Sequence, residues 1–137
     1  MKIFLSVIFI FSLFLLFISP ILATTKWSED KISSIESKPS GPQIATGKVG
    51  YGVVWTDDRE TDSELYFSLV NSGGNAVGKE VKITNNNVHD LTPSIVWNGE
   101  DYGVFWSYDK SQIYYTRVKE VGNKVLEEIP VVTTTAG

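Results

Sequence analysis

The chain has no cysteine, one histidine and two arginines, Arg59 and Arg117. Without cysteine there is no disulfide, no thiolate metal site and no thiol nucleophile. With one histidine, His89, a histidine-built metal cluster is excluded, and a surface loop residue is the plain reading of that side chain. Two isolated arginines rule out a clustered guanidinium site. The charge balance of 12 Lys+Arg against 16 Asp+Glu argues against nucleic acid and anionic lipid, both of which need concentrated positive charge. No Gly-rich phosphate loop, H-E-x-x-H, G-x-S-x-G or EF-hand pattern occurs in the sequence.

The N-terminus reads as a leader. Basic Met1-Lys2 is followed by an apolar run from Ile3 to Ile18, then "SPILA" ending at Ala23 and polar "TTKWSEDK". That order predicts a secretory signal peptide, helical as an apolar leader is, over residues 1–23. An uncleaved anchor is the alternative, because the run is nearly long enough to span a bilayer. Either way the chain is expected to be secreted or held at the cell surface, and to meet the membrane only through this segment. Loss of Lys2 with a cleaved leader would leave 11 basic residues against 16 acidic ones.

The rest of the chain repeats itself. "GYGVVWTDDR" begins at Gly50 and "DYGVFWSYDK" at Asp101, an offset of 51 residues. The same offset pairs Pro42 with Pro93, Ile44 with Ile95, Trp55 with Trp106, Asp58 with Asp109 and Arg59 with Lys110. Three residues then drop out of the second copy, and an offset of 48 pairs Tyr66 with Tyr114, Val70 with Val118, Gly74 with Gly122 and Ile83 with Val131. A single short gap in a polar stretch predicts a loop of different length in the two copies.

Each copy contains four short runs rich in Val, Ile, Tyr, Phe, Trp and Thr, separated by Gly, Asn and Asp clusters. The connections are too short for crossover helices, so neighbouring strands are expected to be antiparallel. The second and third runs are apolar on both alternating faces, the pattern of strands covered on both sides. The fourth alternates, as a half-exposed outer strand does. The expected class is all-β, with two four-stranded antiparallel propeller-type blades forming an incomplete propeller. The rival is a β-sandwich made from a duplicated sheet. The expected organisation is a signal peptide over 1–23 and a linker over 24–41 with a leading outer strand near 31–34. Blade one follows over 42–92 and blade two over 93–137. The leading strand is inferred from phase: the offset of 51 places Ile32 on Ile83.

The string P-x-I-x-W-N-G-x-x-Y-G-V-x-W-x-D-x-R/K, followed by E/Q-L/I-Y-F/Y and G-N-x-V, resembles repeats of secreted bacterial and archaeal β-propellers. These are the sialidase-like and TolB/WD40-like tandem-repeat proteins. The resemblance covers residues 32–137 and marks the blade rather than an activity. The Asp-box of sialidase repeats, S-x-D-x-G-x-T-W, is absent, and the two arginines supply no arginine triad. What the resemblance implies is a fragment of a longer propeller, or a chain whose copies assemble into one ring.

Antiparallel order sends the second-to-third and fourth-to-first connections to one end. Asp57, Asp58, Arg59, Asp62, His89, Asp90, Asp109 and Lys110 are therefore the candidate ligand-binding rim, together with Trp97 as a candidate exposed aromatic. Asp57, Asp58 and Asp62 are the candidate Ca²⁺ ligands, since that ion takes several carboxylate oxygens; a solvated hairpin loop is the plainer reading. Trp55 and Trp106 share one repeat position and are expected in the core. No catalytic constellation is recognisable. The expected function is an exported, non-catalytic binding or display module. A piece of a secreted glycan-active hydrolase or lyase, and a small lectin that completes its ring by assembly, stand as alternatives. The expected partners are further blades or other copies of the chain, and a carbohydrate or surface protein.

Overall fold

The structure is a computed structural model and describes residues 29–121 and 129–131. The leader reading over residues 1–23 lies outside them. Among the described residues there are eight strands: β1 (Pro39–Thr46), β2 (Gly50–Asp57), β3 (Glu64–Asn71), β4 (Ala76–Lys82), β5 (Asp90–Trp97), β6 (Asp101–Tyr108), β7 (Gln112–Lys119) and β8 (Ile129–Pro130). They form two four-stranded antiparallel sheets in sequential order, β1-β2-β3-β4 and β5-β6-β7-β8. Among the described residues there is no helix, and none that could cross a membrane. The first strands of each sheet begin at Pro39 and Asp90, three residues before the expected starts of the two repeats at 42 and 93.

The two sheets share their register. Phe67 pairs with Val81, and Tyr115 with Ile129. The Ile83 amide donates to the Leu65 carbonyl at 2.8 Å, and the Val131 amide to the Ile113 carbonyl at 2.7 Å. A bulge falls between Ser40 and Gln43 in β1 and between Leu91 and Ser94 in β5. Its left-handed residue is Gly41 at φ 55° in one sheet and Thr92 at φ 50° in the other. All these pairs keep the offsets read from the sequence.

The three-residue gap lies in the loop after the second strand. Residues 58–63 join β2 to β3, whereas 109–111 join β6 to β7. The shorter connection closes with the Ser111 amide on the Tyr108 carbonyl at 3.0 Å, with Asp109 at φ 46° and Lys110 at φ 57°. Two consecutive positive φ values mark a primed hairpin turn, whose twist matches that of the flanking strands.

One core cluster lies between the sheets. Val54, Leu65, Phe67, Leu69 and Ile83 come from the first repeat; Tyr102, Val104, Trp106 and Val118 come from the second. Period-two alternation sends Val53, Trp55, Tyr66 and Val70 to the opposite face of the first sheet, where Ile32 and Tyr51 pack on them. Trp55 therefore points away from the second sheet, and its counterpart Trp106 points toward the first. Equivalent side chains face the same way in both sheets.

Residues 31–34 are not a strand, contrary to the sequence expectation. The phase inference behind it nevertheless has a structural counterpart. Ile32 packs on the Trp55 face as Ile83 packs on the Trp106 face. The segment keeps its packing place without ladder hydrogen bonds.

Candidate functional site

The end of the molecule that carries the β2–β3 loop also carries the β4–β5 connection and the β6–β7 turn. Backbone bonds tie them together: the Asp90 amide donates to the Ser63 carbonyl at 2.8 Å, and the Asp109 amide to the His89 carbonyl at 3.2 Å. The carboxylates of this rim divide into sealed and open groups.

Asp57 is fully buried. The Trp55 indole donates to its Oδ2 at 3.0 Å, and the Lys38 and Arg59 amides to its Oδ1 at 3.0 and 3.1 Å. The Ser37 hydroxyl and the Arg59 guanidinium complete its partners, the latter at 2.6 Å. Burial alone would raise its pKa. The hydrogen bonds from Arg59, Ser37, Lys38 and Trp55 outweigh that and hold the carboxyl well below the usual range. Arg59 also pairs with Glu80, donates to the Ser34 hydroxyl at 2.8 Å and lies 4.0 Å over the Tyr66 ring. Its proton is held more tightly than usual, first by Asp57 and then by Glu80. Asp57 and Arg59 thus clamp the N-terminal segment onto the first sheet and are not open to a ligand.

Asp90 is also fully buried. It accepts from the Trp106 indole at 2.7 Å and the Asn86 side chain at 2.8 Å. Asp58 is exposed, and the Ser63 hydroxyl donates to it at 2.6 Å. The Ser63 amide donates to His89 Nδ1 at 3.1 Å, with the Ser63 hydroxyl 3.0 Å from the same nitrogen. Serine, histidine and aspartate are neighbours here, but in the wrong order for nucleophilic catalysis. There the carboxylate orients the imidazole, which takes the serine proton. At this rim the carboxylate takes the serine hydroxyl itself, and Nδ1 accepts a backbone amide.

Asp109 and Lys110 are exposed in the primed turn. Trp97 is placed elsewhere. It ends β5 at the opposite edge of the sheet, paired with Tyr102, and its ring packs 4.9 Å from the Tyr102 ring. It is half-buried against the core rather than the exposed aromatic expected, because Tyr102 brings it into the layer between the sheets.

The solvent-facing part of the rim is a depression of about 190 Å³ lined by Glu60, Thr61, Asp62, Glu64 and Asn85 to Asn87. Lys82 Nζ lies 2.7 Å from Glu60, 2.8 Å from Asn85 and 3.4 Å from Glu64. Burial disfavours the Lys82 charge, but Glu60 and Glu64 more than offset this and raise its pKa. Glu64 is itself buried and accepts from the Thr84 hydroxyl at 2.5 Å and the Asn86 amide at 2.9 Å. Carboxylate and amide groups around one ammonium can hydrogen-bond a hydroxyl-rich ligand. They present no nucleophile with a free base beside it.

Asp62 is the one candidate ligand-binding residue that lines this depression; Glu60 and Asn85 to Asn87, placed at the same end by strand order, line it too, and Thr61 and Glu64 complete it. The residues that strand order alone did not single out are Thr61 and Glu64. Among the described residues, no group of three or more His, Asp or Glu is arranged to hold a metal. Of the three candidate Ca²⁺ ligands, Asp57 is buried in hydrogen bonds of its own, whereas Asp58 is exposed and Asp62 half-buried. No protein-family model, no curated protein and no solved structure matches the chain.

Proposed function

We propose that the chain is an exported, non-catalytic module of propeller-type blades that binds or displays at the cell surface. The observation that carries the blade reading is directional. Trp55 and Trp106 face the same way, so one sheet lies on the next by translation and rotation. Two sheets facing each other across a sandwich would turn equivalent faces toward one another. Blades stacked around an axis keep their sense, as these do. The absence of an ordered nucleophile and base among the described rim residues supports binding over turnover, and the Glu60–Asn87 depression is the place for a polar ligand. Export rests on the leader pattern.

Fractionation of the host cells with N-terminal sequencing tests export: the chain should leave the cytosol and begin after Ala23. A glycan array probed with the full chain tests the binding half. Asp62→Asn should weaken any signal without altering the melt. Turnover of an arrayed glycan would sink the non-catalytic reading, and retention in the cytosol with Met1 in place would sink export.

A further inference from the structure

The first sheet is covered on both faces and the second on one. The inner face of the first sheet lies under the second sheet, where Tyr102 leans over Gly52; a Cβ at Gly52 would stand 2.7 Å from Tyr102 Cε1. Its outer face is closed by the N-terminal segment. Ile32 packs there, and Val53, Trp55, Tyr66 and Val70 are at most 8 % exposed. Polar bonds hold the segment down. The Ser34 amide donates to Glu80 at 3.0 Å, Arg59 to the Ser34 hydroxyl at 2.8 Å and the Lys38 amide to Asp57 at 3.0 Å.

The far face of the second sheet has no such cover. Cross-strand pairing sets Val96 beside Gly103, Phe105 beside Tyr115 and Tyr115 beside Ile129 on that face, turned away from Tyr102, Val104 and Trp106. Val96, Ile113, Ile129 and Val131 are between 42 % and 52 % exposed. Their repeat counterparts Ala45, Leu65, Val81 and Ile83 pack in the core between the sheets. No other sheet lies on the far face among the described residues. Soluble monomers seldom leave a contiguous apolar face of this extent in water.

The open face also differs in composition from the core face it corresponds to. Under the repeat offsets, Val54 corresponds to Phe105, Phe67 to Tyr115 and Leu69 to Arg117. The Phe105 and Tyr115 rings pack on each other at 4.6 Å. Larger aromatics and an arginine in place of core side chains distinguish a recognition surface from a protein interior. Arg117 lies 3.4 Å from Asp101, so its charge is balanced within the chain and does not repel a like face.

We propose that this face binds the same face of a second copy of the chain, giving a closed two-fold dimer. Both faces of the first sheet and the inner face of the second are occupied in every copy. The open face therefore meets its own equivalent, and a contact between like patches stops at two. Four strands about 4.8 Å apart, with eight residues rising about 3.3 Å each, give a footprint of roughly 500 Å² per copy and about 1,000 Å² in all. That is the size at which specific interfaces begin, so the pair is reversible rather than permanent. It is a sandwich contact between equivalent faces, unlike the head-to-tail contact inside the chain.

Sedimentation velocity on the chain purified from its host tests this. The wild type should pass from one copy to two as concentration rises and go no further. Ile113→Lys and Val96→Lys each put an ammonium on the face, at exposed positions on different strands. Each should weaken pairing by roughly tenfold or more. Ile35→Lys, at a 92 % exposed position in the N-terminal segment, should leave pairing unchanged. Because all three sites are exposed, dilute melts of the variants should lie within about 2–4 °C of the wild type, which separates lost pairing from lost folding. A wild type that stays single at every concentration overturns the proposal. Species larger than two overturn it as well, since they need a head-to-tail contact. Dimers that survive both lysines on the face, or that Ile35→Lys dissolves, place the contact elsewhere and also overturn it.

Discussion

Gly52→Ala is the smallest change that interrogates the contact between the sheets. Its cost follows from distances. The added methyl would stand under 3.0 Å from atoms of two rings, Tyr102 and Phe67, both fully buried. Neither ring is the free end of a flexible chain, so one or both must move. Overpacking of this kind costs about 1–3 kcal/mol. Working against it, replacing glycine by alanine in an extended strand stabilises by about 0.4–1 kcal/mol through the unfolded chain. At the middle of each range the clash wins, about 2 against about 0.7 kcal/mol, leaving about 1.3 kcal/mol of destabilisation. For a domain of this size each kcal/mol moves the melting temperature by about 4–8 °C. A thermal melt followed by near-UV circular dichroism should therefore fall by several degrees or more. Gly103→Ala is the internal control. Its nearest neighbours, Tyr115 and Val96, belong to its own sheet and are partly open to solvent, so they can yield. That variant should melt within about 2–4 °C of the wild type, the shift a ±0.5 kcal/mol surface change produces. Tyr102→Phe completes the set. The Tyr102 hydroxyl is buried and has no hydrogen-bond partner among the described residues; a buried unsatisfied hydroxyl costs about 1–3 kcal/mol, so its removal should be neutral or stabilising. A Gly52→Ala protein that melted with or above the wild type would refute the packing argument.

Three further outcomes are expected. Gly41→Ala should cost about 1–2 kcal/mol from backbone strain alone, because its φ is 55° and nothing lies within 4 Å of the added methyl; urea unfolding reads this directly. Arg59→Met should destabilise by about 3–5 kcal/mol in the same assay, since it strands the buried Asp57 carboxylate and leaves Glu80 without its guanidinium. Asp57 and Glu80 both have depressed folded-state pKa values, hydrogen bonding to Arg59 overcoming burial in each. Their stabilisation is therefore present above the unfolded values near 4 and is lost as pH falls through the lower folded values. Urea midpoints should drop from about pH 4 downward, and Asp57→Asn should be weaker at pH 7 with a shallower acid slope.

The repeat was legible because it rests on packing, and packing writes a periodic pattern. Tyr-Gly-Val-x-Trp reads as a strand buried on both faces, and β2 and β6 are such strands; Asp109-Lys110 marks the short turn where the gap was placed. The site was much less legible. "DDRETDSE" reads as a run of solvated charge, yet Asp57 and Glu64 are inside while Asp58 and Glu60 are outside. Which of these carboxylates is sealed depends on Ser37, Lys38 and Trp55 for one and on Thr84 and Asn86 for the other. Apart from Trp55, two residues away, those partners lie 19 to 22 residues off in sequence, and no local pattern identifies them. Trp97 misled for a related reason. Its counterpart Thr46 has no ring, so nothing in the alignment pointed to a shared core position. The tie came from Tyr102 across the strand pair.

The two tryptophans show what the repeat conserves. Trp55 and Trp106 are equivalent, and a buried indole N–H needs an acceptor. Both find a buried aspartate, but not the equivalent one. Asp57 corresponds to Tyr108, and Asp90 corresponds to Pro39, under the same offset of 51 residues. The explanation lies in the register. Pro39 pairs with Asp57 across β1 and β2, and Asp90 pairs with Tyr108 across β5 and β6. The carboxylate has changed strand within one cross-strand pair and still meets the indole, at 3.0 Å in one sheet and 2.7 Å in the other. The bulge behaves in the same way, with Gly41 in one copy and Thr92 in the other holding a positive φ. Asp58 and Asp109, which do correspond at that offset, are two exposed turn residues, whereas the two aspartates that perform one task do not correspond. The constraint acts on a place in the sheet, next to the tryptophan at the end of the first strand pair, and either strand can satisfy it. A further sheet of this kind would be recognised by an acid on one side or the other of that place, which a single-column motif would miss.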